Sequence, residues 1–159
     1  MNSHPRQAIE RGTGGEPLRI EREFSCRSLS EGVAEGEVII SKDAVCFYLV
    51  EYETGVVVEH PHDINGRNIA GKILVMPSGK GSSVVQADGL YKLMKHDKAP
   101  AAIIVAQPDT VLVSGAIVMD LPLVDRADPA FYETVRDGDL VRVDAVAEKL
   151  VLRRSEAQA

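Results

Sequence analysis

A loop of glycine, lysine and serine, PSGKGSS at residues 77–83, has the residue types that bind small anions or activate a serine. Gly79 and Gly81 permit backbone turns with positive φ that expose N–H groups, and Lys80 adds a positive charge. An apolar stretch with helical spacing follows the loop, and a helix N-terminus carries partial positive charge. The loop is therefore a candidate site for a small carboxylate or phosphate, with Ser83 completing the set of binding residues.

The two serines of the loop have different expected roles. Ser83 and Gln86 have the S-x-x-Q spacing of a capping box, which predicts that Ser83 is the N-cap of the following helix. Ser82 is then not needed for capping. A serine acts as a base only where positive charge and N–H donors stabilise its alkoxide, and this loop offers both. The residues alone leave a catalytic Ser82, simple anion binding and a structural turn all open.

Two nucleotide-binding motifs are excluded. A P-loop requires G-x-x-x-x-G-K-[ST], but Gly81 follows Lys80 and Leu74 stands where the first glycine would be. The dinucleotide fingerprint G-x-G-x-x-G fails as well, because Val84 replaces its third glycine. A phosphohistidine-type swivelling domain is also disfavoured, because the loop contains no histidine.

Short apolar runs separated by turn signals predict the elements that position this loop. Strands are predicted at 18–24, 36–41, 45–50, 56–59, 72–76, 101–106 and 121–124, with two more within 136–152. Helices are predicted at 83–96, 109–117 and 129–135, the last with Asp128 as its N-cap. This pattern indicates an α/β fold of β/β/α layers. We expect a disordered tail at 1–17, one domain at 18–153 and a polar tail at 154–159.

Composition limits the possible partners and cofactors. A net charge of −6 argues against nucleic acid, and no stretch approaches the roughly 20 apolar residues of a membrane span. The first residues lack the apolar core of a secretory signal, so we expect a cytoplasmic protein. Cys26 and Cys46 are too few for an iron–sulfur cluster or a structural zinc site, and the sequence does not decide between a disulfide and free thiols. The segment HPHD at 60–63 lacks further ligands, so no metal site is predicted.

Several stretches of the chain resemble the small subunit, or swivelling domain, of the aconitase X family. The most specific is IAGKILVMPSGKGSS, within HPHDINGRNIAGKILVMPSGKGSS at 60–83. Supporting stretches are EGVAEGEVIIS at 31–41, ETG at 53–55, APAAIIVAQPD at 99–109 and SGAIVMDLPLVD at 114–125. The resemblance covers residues from about 30 to about 152.

This resemblance implies a swivelling, barrel-like β/β/α domain and a two-part hydro-lyase. A separate large subunit would carry an iron–sulfur cluster and most of the substrate pocket, and this chain alone would bind no cofactor. Ser82, the first serine after G-[KR]-G, would be the general base for dehydration of a small hydroxy acid. The first expectation is cis-3-hydroxy-L-proline. The alternatives are mevalonate 5-phosphate, or a non-catalytic module that binds small anions.

Two segments depart from the family pattern. Residues 48–52 read YLVEY where the family often has glycines and a proline, and Val85 and Gln86 stand where further Gly and Ser are usual. Both departures lie on or near the expected substrate side.

Overall fold

The computed structural model of the chain describes residues 7–10 and 19–155. This part of the chain forms strands, three α-helices and a short 3-10 helix. The strands are β1 (Gln7–Glu10), β2 (Arg19–Ser25), β3 (Arg27–Ser30), β4 (Val33–Ile40), β5 (Ile73–Ser78), β6 (Ala102–Gln107), β7 (Leu123–Asp125), β8 (Leu140–Asp144) and β9 (Lys149–Ser155). The helices are α1 (Ser83–Lys95), α2 (Thr110–Val118) and α3 (Pro129–Thr134), and the 3-10 helix spans Phe47–Leu49.

Strand β4 joins two differently built parts of one sheet. The described strands are ordered β1-β2-β9-β8-β4-β5-β6-β7-β3. Residues 33–37 of β4 pair antiparallel with β8, and residues 38–40 pair parallel with β5. Strands β5, β6 and β7 continue in parallel, and β3 closes that edge in antiparallel orientation. The parallel strands therefore end together, which brings the loops that follow them to one edge.

The parallel part of the sheet is buried on both faces, as β5 shows. Ile73 and Val75 pack into a core shared with β8, β9 and α3. Leu74 and Met76 point the other way, into a core shared with α1 and α2. Strands buried on both faces read as continuous apolar runs, which is why ILVM shows no alternation. The layers are thus antiparallel sheet, parallel sheet and helices, which confirms the predicted α/β fold of β/β/α type.

The three helices lie where the sequence predicts them. Helix α3 has its predicted N-cap, because the Asp128 side chain accepts a hydrogen bond from the backbone N–H of Ala130 at 2.9 Å. Among the described residues, no helix is both long enough and apolar enough to cross a membrane.

The prediction of strands at 45–50 and 56–59 is wrong. Phe47–Leu49 is a 3-10 helix, and single bridges replace ladders at Val45, Val50, Val56 and Val57. Phe47 and Val50 are buried while the two residues between them are exposed, which is the period of a 3-10 turn. The turn packs against the backbone of α1 at Gly89, where an added Cβ would lie 2.5 Å from the backbone nitrogen of Tyr48. Tertiary packing therefore decides this segment.

The domain boundaries differ from the predicted ones at both ends. Gln7–Glu10, inside the predicted disordered tail, forms β1 and pairs antiparallel with β2. The other residues predicted for that tail, 1–6 and 11–17, lie outside the described residues. Strand β9 continues to Ser155, so the sheet extends beyond the predicted boundary at 153. Residues 156–159 of the predicted C-terminal tail also lie outside the described residues.

Candidate active-site loop

The loop at 77–83 runs from the end of β5 to the start of α1. Ser78 is still paired with Gln107 of β6, and Gly79 forms a parallel bridge with Val45. Ligands of open parallel sheets bind beyond the carboxyl ends of the strands, where loops and helix N-termini converge. The topology therefore places the predicted site residues at the edge where such a sheet binds ligands.

Ser82, not Ser83, is the N-cap residue of α1, so the predicted capping box is wrong. The helix begins at Ser83, and Ser82 has the extended backbone of an N-cap, with φ −70° and ψ 163°. Its side chain makes no capping hydrogen bond, although this is the usual role of a serine at that position. Ser82 is exposed and directly precedes the first helical turn, whose N–H groups have no partner within the helix.

The two glycines of the loop meet different requirements. Gly81 has φ +103°, a region that side chains of L-residues rarely adopt. Gly79 is needed for close approach instead. A methyl group built on Gly79 would lie 2.5 Å from Oε1 of Gln86 and closer still to Oδ2 of Asp109. The side chain of Asp109 also caps α2, accepting from the backbone N–H of Leu112 at 2.9 Å. The loop therefore lies against the first turns of both helices.

Gln86 contacts the loop at three points. Its side-chain Nε2 donates to the carbonyl of Gly81 at 2.9 Å, and its backbone N–H donates to the carbonyl of Ser82 at 2.9 Å. Its Oε1 lies beside Gly79 and has no hydrogen-bond partner among the described residues. The whole residue is 6% exposed. The sequence assigned Gln86 to a capping box and marked it as a departure from the family pattern, but it did not predict the buried bond to Gly81.

Lys80 forms an ion pair with Glu59, a residue that the sequence analysis missed. The Lys80 ammonium donates to Oε1 of Glu59, whose side chain is 6% exposed against 48% for Lys80. The other carboxylate oxygen of Glu59 accepts from the backbone N–H of Cys46 at 3.4 Å. The hydrogen bond to Glu59 raises the pKa of Lys80 above its ordinary value, and the neighbouring negative charges of the carboxylate and others add to this. The positive charge of Lys80 is thus largely compensated. The sequence signal that could have indicated Glu59 is its place as a charged residue at the end of the apolar run VVVE.

His62, the second histidine of HPHD, is buried and bonded to the backbone around it. The His62 side chain is 1% exposed, and its Nε2 donates to the carbonyl of Ala44 at 2.9 Å. Its Nδ1 accepts from the backbone N–H of Ile64 at 3.2 Å. Ligand-type atoms of Asp43, His62 and Asp63 lie within 4.8 Å of one another. Both ring nitrogens nevertheless bond to the backbone, so His62 connects the chain at Ala44 to the chain at Ile64.

Both cysteines are free thiols and both are buried. Cys26 lies in the core between the two parts of the sheet. Its burial, assisted by nearby carboxylates, raises its pKa from 9.0 to about 12. Cys46 lies beside the loop, where a Cβ built on Gly81 would be 3.8 Å from its Sγ. The disulfide that the sequence left open is therefore not formed.

Comparison with known proteins places this fold and loop in a family. The family model described as the aconitase X swivel domain matches residues 23–152. The phosphomevalonate dehydratase small subunit of Methanosarcina mazei is 42% identical over 142 residues, covering 88% of this chain and 98% of that protein. The protein of the same name from Thermococcus kodakarensis is 48% identical over 120 residues, covering 75% of this chain and 87% of that protein.

Solved structures agree with the sequence comparisons. The crystal structure of holo-form aconitase X from Thermococcus kodakaraensis is similar, with a TM-score of 0.74 and 43% identity, covering 82% of this chain and 97% of that chain. A UPF0107 protein solved by NMR in solution has a TM-score of 0.72 and 40% identity, covering 80% of this chain and 96% of that chain.

Proposed function

This chain belongs to the aconitase X swivel-domain family, and we propose that it is the small subunit of a dehydratase acting on mevalonate 5-phosphate, with Ser82 as general base. The observation that carries the role of Ser82 is its position. It is the N-cap residue of α1, it is exposed, and its hydroxyl makes no capping bond. A serine that does not cap its helix is available for chemistry.

The substrate proposal differs from the first expectation drawn from the sequence. That expectation was cis-3-hydroxy-L-proline, with mevalonate 5-phosphate as the alternative. Relatives at 42% and 48% identity are named phosphomevalonate dehydratase small subunits, and they support the alternative. Both substrates are small hydroxy acids, so the same serine chemistry serves either.

The surface position of Ser82 supports a two-subunit enzyme. The residues of the loop lie on one edge of the domain, with Lys80, Gly81 and Ser82 all exposed. A substrate bound only by this edge would remain in contact with water, whereas acid–base chemistry at carbon benefits from a closed site. We propose that a large subunit, implied by the names of the relatives, supplies the rest of the pocket and is closed by this domain.

The residues of this chain do not fit an iron–sulfur cluster. Such clusters are typically held by four cysteine thiolates, and this chain has two cysteines. Cys26 is in the core between the sheet layers, while Cys46 is buried beside Gly81. In this proposal the cluster therefore belongs to the large subunit, and this chain contributes the base.

The chemistry assigned to Ser82 is removal of a proton from carbon. Dehydration takes a proton from the carbon beside the substrate carboxylate and hydroxide from the neighbouring carbon, which leaves an alkene and water. The Ser82 alkoxide accepts that proton and becomes a hydroxyl, and release of the proton to the departing hydroxide gives the water and restores the alkoxide. Because Glu59 compensates Lys80, the N–H groups at the start of α1 are the principal feature of this chain that stabilises the alkoxide.

The test is a reconstituted enzyme made with the large subunit encoded in the same genome. We expect dehydration of mevalonate 5-phosphate by the complex and none by this chain alone. Ser82→Ala should lower kcat by about 10²- to 10⁴-fold, the usual contribution of a general base, while the complex still forms. Ser25→Ala, which changes an exposed serine at the end of β2, is the matched control and should leave kcat unchanged.

Three results would each overturn a different part of this proposal. Turnover of cis-3-hydroxy-L-proline but not of mevalonate 5-phosphate by the complex would reject the substrate. Wild-type kcat in the Ser82→Ala complex would reject Ser82 as the base. Binding of small carboxylates or phosphates by this chain, without turnover by any complex, would identify a non-catalytic module instead.

A further inference from the structure

The two peptide groups that flank Ser82 are both held by one buried residue, Gln86. The carbonyl of Gly81 precedes Ser82 and accepts from the Gln86 side chain at 2.9 Å. The carbonyl of Ser82 itself accepts from the Gln86 backbone N–H at 2.9 Å. These bonds restrict rotation about both backbone torsions of Ser82. With the backbone held at φ −70° and ψ 163°, the hydroxyl is limited to the few staggered positions around Cα–Cβ.

The bond from Gln86 to the Gly81 carbonyl also sets the direction of a backbone donor, the N–H of Ser82. In a trans peptide the carbonyl and the N–H point in opposite directions. Because the Gly81 carbonyl points to Gln86, the N–H of Ser82 points away from Gln86. Gln86 therefore orients a backbone donor and a hydroxyl on the same residue.

The amide of Gln86 can donate to the Gly81 carbonyl, whereas an apolar side chain could not. Its Nε2 must face the Gly81 carbonyl, because the reversed amide would place two acceptor oxygens together. Its Oε1 then lies beside Gly79, buried and without a partner among the described residues. A buried polar atom without a partner is uncommon and calls for an explanation. Gly79 leaves the space that this oxygen occupies, so the glycine and the glutamine form one arrangement.

We propose that Gln86 is a positioning residue for the reaction, and that its side-chain bond to the Gly81 carbonyl fixes the orientation of the Ser82 hydroxyl. Gln86 does not contact substrate and acts only through the backbone of the loop. This inference rests on the proposed function, since it concerns how the proposed base is aimed. Misplacing a reacting group by about 1 Å can cost about 10²-fold in rate, so orientation alone has a large effect.

The test compares two substitutions in the reconstituted enzyme. Gln86→Met keeps the length of the side chain and removes the donor. We expect kcat to fall by about 10- to 100-fold with KM changed less than about threefold, because positioning affects the chemical step rather than binding. Asp88→Asn, on the same helix and in contact with Lys92 at the surface, is the matched control and should leave both constants unchanged.

Gln86→Glu adds a second measurement, the pH dependence of kcat, which a purely structural role of Gln86 would not change in the same way. The protonated carboxyl can donate to the Gly81 carbonyl, whereas the carboxylate cannot. Burial and the facing carboxylate of Asp109 should both raise the pKa of the introduced group. The ratio of variant kcat to wild-type kcat should therefore rise as the pH falls for Gln86→Glu, and should stay flat for Gln86→Met. Thermal unfolding of both variants at each pH serves as the control for stability.

A measurement without turnover separates this inference from the proposed function. In the isolated chain, Gln86→Met should shift the Ser82 amide resonance and shorten the hydrogen-exchange lifetimes around it, and Asp88→Asn should not. Wild-type kcat in Gln86→Met, with Ser82→Ala inactive, would overturn the positioning role alone. An active Ser82→Ala complex would instead overturn the proposed function, whatever Gln86 does.

Discussion

The ammonium group of Lys80 and the carboxylate of Glu59 form an ion pair at the base of the candidate active-site loop. The pair joins a half-exposed cation to a carboxylate with 6% exposure. A buried carboxylate without a partner would destabilise the fold, so the ion pair fixes the Lys80 ammonium group beside Glu59. The lysine is therefore part of the loop's structure as well as a candidate substrate ligand.

Removing Lys80 should destabilise the domain through Glu59. We expect Lys80→Met to lower the free energy of unfolding, because Glu59 is left buried without its cation. In the Lys80→Met background, Glu59→Gln should recover part of the loss. Because Lys80 is half exposed, we expect a coupling energy of only about 1 kcal/mol in a double-mutant cycle measured by urea denaturation at pH 7.

The pH dependence of that coupling is a second check on it. The pKa of Lys80 is raised by its hydrogen bond to Glu59. The contribution of the pair is therefore complete below the ordinary lysine pKa of 10.5 and is lost as the pH rises through the raised value. A coupling that is absent at pH 7, or that grows above pH 10.5, would contradict the assigned ion pair.

Gly79→Ala should disturb the loop even though Gly79 needs no unusual backbone conformation. The added methyl group would lie 2.5 Å from Oε1 of Gln86 and would also displace the carboxylate of Asp109. Losing the bond from Gln86 to Gly81 and weakening the Asp109 cap should together cost about 2 kcal/mol in the free energy of unfolding. The measurement is urea denaturation of the isolated chain.

The matched control for that change is Gly115→Ala in α2. A Cβ there meets only Leu90 Cδ2 at an ordinary 3.8 Å. Because glycine is a poor helix former, Gly115→Ala should stabilise the chain by about 0.5–1 kcal/mol. Equal effects of the two substitutions would show that space at Gly79 is not limiting.

The layered fold and the helices could be predicted from the sequence because their patterns are local. Continuous apolar runs such as ILVM predict buried parallel strands, and Asp128 before Pro129 predicts the start of α3. Residues 45–50 could not be predicted, because their conformation depends on the close approach of Gly89 from α1. Apolar composition alone favours a strand there.

The site was predictable as a loop but not as a set of contacts. The glycines and serines indicate a turn before a helix, and the structure has that turn between β5 and α1. The pairing of Lys80 with Glu59 joins residues 21 positions apart, and no local pattern indicates it. The N-cap of α1 is Ser82 rather than the predicted Ser83, and Gln86 bonds to Gly81 rather than completing a capping box with Ser83.

Ser82→Ala should have little effect on stability although Ser82 is an N-cap residue. Its hydroxyl makes no capping bond, so we expect the free energy of unfolding to change by less than about 0.5 kcal/mol. Asp128→Ala is the matched control, because the Asp128 side chain does cap α3. It should cost about 1 kcal/mol. A loss in Ser82→Ala as large as that in Asp128→Ala would show that Ser82 is a structural cap.

Cys26 should make the domain lose stability at alkaline pH. Its side chain lies in the core, and desolvation is the main cause that raises its pKa from 9.0 to about 12, with Glu148, Asp144 and Asp125 contributing. The folded chain therefore keeps this thiol protonated while the unfolded chain ionises it. The contribution of Cys26 to the free energy of unfolding is therefore complete below about pH 9. It falls from there until about pH 12, by about 1.4 kcal/mol for each pH unit.

Urea denaturation under reducing conditions at pH 8 and at pH 10.5 tests this, with Cys26→Ala as the comparison. Because the unfolded thiol is almost fully ionised at the higher pH, the wild-type chain should lose about 2 kcal/mol more than Cys26→Ala between the two conditions. Other groups that titrate in this range are present in both proteins and cancel in the difference. Equal losses in the two proteins would mean that the thiol of Cys26 is solvated in the folded state, contrary to its position between the sheet layers.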